Sequence, residues 1–432
     1  PELEHAPDEA AKEKETYARF IAARRIAEAT SVFAHLKAEE GGRYPLTGVG
    51  DVNTYALFAE TIYRVTGPHG RAGFIVPTGI ATDASTQAYF REITQKRKLV
   101  SLFDFDNSER AFPAVATLVR FSLVVLGFAE QATFAFLIRA VPELADERRR
   151  FSLTPTEFLQ LNPNTLTCPV FRSRRDAELT KKIYARVPIL IRRSSDGSRE
   201  VNPWGVQFMS MFHMSNDSHL FVAETDLPSN ATTAVGDSAL SKSFDGYVPL
   251  YEAKMMTIFD HRFGSYPPGL VDDTRALPRL SLGEYSDPAF EVRPRFYLEV
   301  AEVRKRVPDC RDSWFVCFRS MSNHSNVRRF IAGAIPYAAV GNSLTIVRME
   351  NAIDPKRAAC LLSNLSALVL DAIARWKVSG TNLNLFLVEQ FPILAPSFYS
   401  DADTEFIVRR VIELVFTADS LRGFAERLGY DG

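Results

Sequence analysis

The segment from Val52 to Phe128 constrains the fold most, because its hydrophobic spacing changes period in a fixed order. Val52 to Val65 places Tyr55, Leu57, Phe58, Ile62 and Val65 at helical spacing and stops at Gly67-Pro68-His69-Gly70. Ala72 to Pro77 (AGFIVP) is a short apolar run of the kind that forms a buried strand, and Thr82 and Asp83 offer caps to a helix running through Phe90 to Lys96. Two more strands follow, Leu99 to Phe105 and Thr117 to Phe128, with no helical pattern between them. Strands so connected pair antiparallel, so the order helix, strand, helix, strand, strand predicts half of an alternating α/β domain that ends in a hairpin.

The flanks read differently. Residues 1 to 40 are rich in Ala, Glu, Lys and Arg, with Phe20, Ile21, Ile26, Phe33 and Leu36 near helical spacing, which predicts one or two amphipathic helices. They open without a strand or a cap, as expected of a chain cut from something longer. Beyond Thr165 the texture becomes short mixed segments with many Pro, Asn and Ser, an irregular α+β domain broken by an exposed loop at Leu227 to Ser243. Within it Pro355 to Trp376 predicts a helix that buries Ala359, Leu362, Leu365, Leu368 and Leu370 on one face and closes at Lys377 and Gly380. The expected division is 1–40 as helical lead-in, 41–150 as the α/β part and 165–432 as the second domain.

Composition removes several functional classes. The 432 residues are 46% hydrophobic and 24% charged with a net charge of −1, which suits a globular chain with a large core and not one that coats nucleic acid over its whole surface. A basic cleft remains open, since Arg172, Arg174, Arg175, Lys181 and Lys182 crowd one segment and Arg319, Arg328 and Arg329 another. No run approaches the roughly 18 apolar residues of a membrane span, and the start is too polar for a signal peptide, so the expected compartment is the cytoplasm. Cys168, Cys310, Cys317 and Cys360 form no CxxC pair and have no His at ligand spacing, which argues for free thiols and against zinc or disulfides. Gly48-Val49-Gly50 lacks a preceding apolar strand and reads as a turn, not a cofactor cradle. Asn202-Pro203-Trp204 reads as a turn with a packed Trp. Asp104 and Asp106, alternating with Phe103 and Phe105, are expected to be solvated residues at a strand edge.

Several stretches in order carry a resemblance. They are Arg43 to Phe58 (RYPLTGVGDVNTYALF), Gly70 to Thr78 (GRAGFIVPT), Phe103 to Asn107 (FDFDN), Phe112-Pro113 and Val119 to Leu123 (VRFSL). Further on come Val170 to Asp176, Pro249 to Met255 with Phe259 to Arg262, Leu361 to Leu365, and Lys377 to Asn384. In this order the sequence resembles the Eco57I-like restriction-modification methylases, which transfer a methyl group from S-adenosylmethionine to adenine N6 in DNA. The resemblance covers nearly the whole chain. It implies a partial class I methyltransferase sheet ending in an antiparallel hairpin, followed by an α+β target-recognition domain. Two family motifs are absent from the sequence, the Gly-rich cofactor turn and the Asn-Pro-Pro-aromatic catalytic loop, which implies that catalysis belongs to a longer protein or to a second product of a split gene.

The resemblance also implies roles. N6 methylation needs the adenine outside the duplex, and Phe112 falls where the family has an aromatic beside the flipped base. Asn53 and Tyr55 fall beside the cofactor position. Double-stranded DNA would be held by Lys254, His261 and Arg262, by Arg319, Asn323, Asn326 and Arg328, and by Lys377, Thr381 and Asn382, with phosphate contacts outnumbering base contacts. Partners would include a restriction nuclease or other defence-system subunits. The alternative is a non-catalytic DNA-binding specificity subunit that partners a separate methylase or nuclease.

Overall fold

The computed structural model describes residues 7–117, 119–194, 200–269, 276–322, 326–350, 354–378 and 381–432. The chain divides into two compact units, Pro1–Lys181 and Lys182–Gly432.

The first unit begins with one long helix, α1 (Pro7–His35), followed by α2 (Thr54–Val65). The apolar residues of α1 do not form the expected stripe. Of the residues expected to form it, Phe20, Ile26 and Phe33 are exposed and Ile21 and Leu36 half-buried, and with the exposed Tyr17 and Val32 the apolar side chains of α1 are spread around the helix at 100° per residue. The sheet contains β1 (Ala72–Pro77), β2 (Leu99–Asp106), β3 (Arg120–Leu126), β4 (Ala132–Ile138) and β5 (Phe151–Leu153). Helices α3 (Gln87–Gln95) and α4 (Pro155–Leu161) also belong to this unit.

Strand order is β1-β3-β2-β4-β5. β3 pairs antiparallel with β2, as the missing helix between them requires, and antiparallel with β1 on its other side. β1 and β2 therefore run parallel, joined by the crossover through α3. β4, the run ATFAFLI, was not anticipated from sequence; it pairs parallel with β2.

One sheet face is sealed. Val76, Leu102, Val124, Phe134 and Phe136 are buried there, and the rings of Phe134 and Phe90 each lie 5.6 Å from Phe158 of α4. The other face is apolar but open toward β1. Its row Ile75, Leu123 and Phe103 passes from exposed to half-buried.

Asp104 is not the solvated residue expected. It is fully buried and accepts two hydrogen bonds from Arg120 Nε, at 3.1 Å each, and one from Arg120 Nη2 at 2.6 Å. Thr78 Oγ1 and the Leu137 amide also donate to it, the latter at 2.9 Å. The Leu137 amide reaches inward because β4 shifts register here, with Leu137 at φ 56°. Alternation with Phe103 and Phe105 identified two faces but not which was covered, and the guanidinium that makes burial tolerable comes from β3. Asp106 is half-buried and caps the turn after β2, accepting from the Ser108 amide at 2.8 Å.

The second unit holds two four-stranded sheets. One contains β7 (Val222–Ala223), β8 (Tyr247–Tyr251), β9 (Phe296–Glu299) and β12 (Ala339–Val340) in the order β12-β8-β9-β7. The other contains β6 (Gln207–Met209), β10 (Trp314–Arg319), β11 (Ala332–Pro336) and β13 (Leu344–Arg348) in the order β11-β10-β13-β6. Val248, Leu250, Leu298, Phe315, Cys317, Ile335 and Ile346 belong to one continuous core between these strands.

Two expectations fail here. Pro355 to Trp376 is not one helix but two, α5 (Pro355–Leu365) and α6 (Leu368–Lys377), bent by 56°. The bend leaves Leu368 71% exposed, where a straight helix would have buried it. In α6 the Asp371 carboxylate accepts from the Arg329 and Phe330 amides and pairs with Arg375 at 3.1 Å. Leu227 to Ser243 is not wholly an exposed loop either. It contains a helical turn, Gly236–Leu240, whose Ala239 is in the core, because short side chains let this segment pack closely. Trp204, as expected, is a packed residue in a turn, with Nε1 donating to the Leu394 carbonyl at 3.0 Å.

Replacing Asp104 by Ala leaves the Arg120 guanidinium without its carboxylate in a mostly buried site and should destabilise the first unit by about 3–5 kcal/mol. Urea unfolding of wild type and Asp104→Ala measures this; coincident transitions would mean that the pair contributes nothing.

Candidate functional site

In open α/β sheets ligands bind beyond the carboxyl ends of parallel strands, and in the first unit that edge is where β1 ends at Pro77 and β2 at Asp106. Asn53 caps α2, its side chain accepting from the Tyr55 amide at 3.4 Å. Tyr55 extends to the end of β1. A Cβ on Gly79 would lie 3.1 Å from the Tyr55 hydroxyl and 2.3 Å from Asp83 Oδ2, so the glycine leaves room for both side chains as they stand. Burial, and then the Asp83 carboxylate, raise the Tyr55 hydroxyl above its usual pKa, so it stays a neutral donor. Behind it the buried Glu60 accepts from the Thr47 amide at 3.0 Å and the Thr47 hydroxyl at 2.8 Å, and pairs with Arg64 at 2.9 Å. These bonds fix the turn containing Gly48-Val49-Gly50 against α2.

The loop after β2 provides the other side. Asn107 is buried, and its side chain bonds back to the loop at Phe112, Val115 and Ala116. Phe112 is 39% exposed and stands edge-on to Phe121, centroids 4.8 Å apart. Phe121 stacks on Phe105 at 5.4 Å and is the register partner of Pro77 as well. A partly exposed aromatic ring therefore stands near the strand ends, on a base of further rings. It is not the ordinary core Phe that its neighbour Pro113 could have suggested.

In the second unit the ten residues expected near DNA separate by burial. Arg262 is fully buried, and its guanidinium donates to five carbonyls, among them Asp287 at 2.8 Å and Thr417 at 2.6 Å. His261 is fully buried with Nε2 3.3 Å from Ser420 Oγ. Lys377 is buried, donates to the Gln390 carbonyl at 3.0 Å and lies 4.4 Å from the Tyr184 ring centre. These three correct the sequence reading: Arg262 and Lys377 sit among carbonyls and a ring, His261 lies against a hydroxyl, and all three are too deeply buried to meet a phosphate. Arg319 is held by the Met256 carbonyl and the Phe263 ring, and burial with the nearby Arg279 lowers its pKa to about 10. Lys254 faces Glu252 at 3.4 Å and the Tyr266 ring.

The remaining residues gather around one pair of segments. The Ser322 amide donates to the Thr381 carbonyl at 2.9 Å, and Met321 bridges to Asn382. Thr381 and Asn382 are exposed, Asn326 and Arg328 are half-buried, and Val327 between them is 92% exposed. Asn323 lies outside the described residues. The order of the sequence gave no sign that segments so far apart meet here, and the Arg375 bonds to the Asn326 and Val327 carbonyls that hold them were also missed.

Among the described residues no group of three His, Cys, Asp or Glu is placed to hold a metal ion, and no single helix is long and apolar enough to cross a membrane. All four cysteines are free.

His261 generates a pH prediction. Burial, and then the Arg262 charge, lower its pKa from 6.5 to about 3, so as pH falls through that window the unfolded chain takes up a proton that the folded chain refuses. Stability should drop between pH 6.5 and 3 in wild type and less so in His261→Gln. Parallel pH dependences of the two unfolding free energies would show that His261 titrates normally.

The sequence matches no protein-family model, and no curated protein matches it. Among solved structures, the chain is similar to the type IIG restriction endonuclease BpuSI, at 11% identity and a TM-score of 0.28, over 89% of this chain and 49% of that one. It is likewise similar to the type IIL restriction-modification enzyme MmeI in complex with DNA, at 10% identity and a TM-score of 0.36, over 88% of this chain and 48% of that one. The chain thus spans about half the length of each of these structural neighbours, which are type IIG and type IIL restriction-modification enzymes.

Proposed function

We propose that this chain is part of a site-specific, S-adenosylmethionine-dependent DNA adenine-N6 methyltransferase of a restriction-modification or phage-defence system. The observation that carries the reading is Phe112, a partly exposed aromatic ring near the carboxyl ends of β1 and β2. A purine turned out of its duplex needs a flat apolar surface there, and a ring supplies it without reading the base. The sheet supports the same reading: β1 is an edge strand, and its Ile75 face is open, so further strand and helix can be added at that side. We assign the cofactor turn and the catalytic Asn-Pro-Pro-aromatic loop to that addition. In this chain Asn53 and Tyr55 offer an amide and a neutral hydroxyl beside the strand ends, a polar rim suited to the cofactor but not a pocket that encloses it. S-adenosylmethionine, when bound, supplies the methyl group.

The second unit is the candidate reader of double-stranded DNA. Thr381, Asn382, Asn326 and Arg328 carry the groups that bond to base edges and phosphates, on adjoining segments with exposed or half-buried side chains.

Methyl transfer from labelled S-adenosylmethionine to unmethylated genomic DNA tests the reading, with the whole protein and this chain assayed in parallel. Transfer is expected from the whole protein only, and the isolated chain should bind S-adenosylmethionine weakly or not at all. DNA binding without transfer by either would favour a specificity subunit that serves a separate enzyme. Phe112→Ala should weaken transfer roughly 5- to 100-fold, the equivalent of one base stacked on a ring. Thr381→Ala with Asn382→Ala should lower DNA affinity in a gel-shift titration, with the unfolding transition unchanged; unaltered affinity would remove this surface from the DNA interface.

A further inference from the structure

Asn107 has a role that the reading of Phe112 does not by itself contain. Its Oδ1 accepts from the Phe112 amide at 3.0 Å, and its Nδ2 donates to the Phe112 carbonyl at 3.1 Å and the Val115 carbonyl at 3.0 Å, with the Ala116 carbonyl at 3.5 Å. A side-chain amide has two donor hydrogens and one acceptor oxygen, and here both kinds of group are turned onto a single loop. Backbone turns also shape the loop, with the Arg110 amide on the Asn107 carbonyl at 2.9 Å and the Val115 amide on the Phe112 carbonyl at 3.0 Å. These are short-range, and Asn107 is the buried side chain that ties residues 112, 115 and 116 together. Side chains 108–117 are exposed, Arg110 turns the chain in the left-handed region at φ 53°, and the ring contact of Phe112 is with Phe121. The loop is therefore closed by local turns and, across its width, by one buried amide.

We propose that Asn107 is a positioning residue, which fixes the 107–116 loop so that the Phe112 ring is held in place, partly exposed, before any base arrives. The proposal rests on the base-stacking reading of Phe112. A ring already in place binds a base without a cost for ordering the loop, so loss of the amide should appear as weaker stacking even though Phe112 itself is intact. Only a group that both accepts and donates can do this. Aspartate is of equal size and keeps the acceptor, but as a carboxylate it sets a charge against three carbonyls. When protonated it regains one donor.

The probe is a short single-stranded oligonucleotide with one 2-aminopurine, whose fluorescence is quenched by stacking, titrated with the full chain. Asn107→Asp, Asn107→Ala and Phe112→Ala are compared with wild type from neutral to mildly acid pH. Wild type should quench, and Phe112→Ala should need roughly 5- to 100-fold more protein. Both Asn107 variants should need about tenfold more near neutral pH, the proportion expected for one modest hydrogen-bonded contact. Asn107→Asp should recover toward wild type as pH falls, while Phe112→Ala and Asn107→Ala do not, and hydrogen exchange at the Phe112 amide should quicken in Asn107→Ala. If Asn107→Ala fails to fold, the acid recovery of Asn107→Asp decides alone: recovery supports the proposal and its absence overturns it. Wild-type quenching by Asn107→Asp at neutral pH, with Phe112→Ala impaired, overturns the role of Asn107 and leaves that of Phe112. Equal behaviour of wild type and Phe112→Ala, including no quenching by either, overturns the stacking reading and this proposal with it.

Discussion

The buried carboxylate of Asp104 is the interaction on which the candidate site depends. It collects bonds from Thr78 after β1, from Arg120 on β3 and from the Leu137 amide on β4, and it is itself part of β2. Four chain segments thus converge on one group near the strand ends. A buried carboxylate without its partners would be strongly unfavourable, and a fully bonded one holds all of them in a single arrangement. Thr78 and Arg120 immediately adjoin Gly79 and Phe121, so the carboxylate also places the glycine that admits Tyr55 and the ring that supports Phe112.

Two different means hold functional groups near that edge. Tyr55 lies where the missing side chain of Gly79 leaves room, since a Cβ there would press on its hydroxyl and displace the Asp83 carboxylate. Phe112 is placed by an addition, a buried amide that gives its loop the bonds an exposed segment otherwise takes from water. In the second unit the same demand for satisfied polar groups acts against function. Arg262 and Lys377 resemble phosphate ligands in sequence but serve as internal donors, closing carbonyls that neither sheet nor helix satisfies.

The bent pair α5 and α6 shows how far local pattern can be trusted. Its helical spacing is sound on both sides of Ser366, and apart from Pro355 in the first turn of α5 neither part contains a proline or glycine to warn of a break. The chain turns at Ala367, which is extended, and Asp371 in the next turn bonds to the amides of Arg329 and Phe330, which lie far away in sequence. The contacts of α6 are therefore made with segments that its own helical spacing does not reveal.

The sequence by itself determined the α/β order from Val52 to Phe128, the antiparallel pairing of β2 with β3, the turn at Asn202-Pro203-Trp204 and the free thiols. Each rests on short-range causes: hydrophobic period, stop residues, and the lack of a helix that would let neighbouring strands run parallel. Tertiary structure alone decided that Asp104 is buried, that α1 exposes Phe20, Ile26 and Phe33, that β4 joins the sheet beside β2, and that Thr381 and Asn382 meet Ser322 and Met321. It also decided which cations remain near the surface. Burial of a charged side chain depends on partners supplied by other strands and loops, and those partners have no signature at the residue they satisfy.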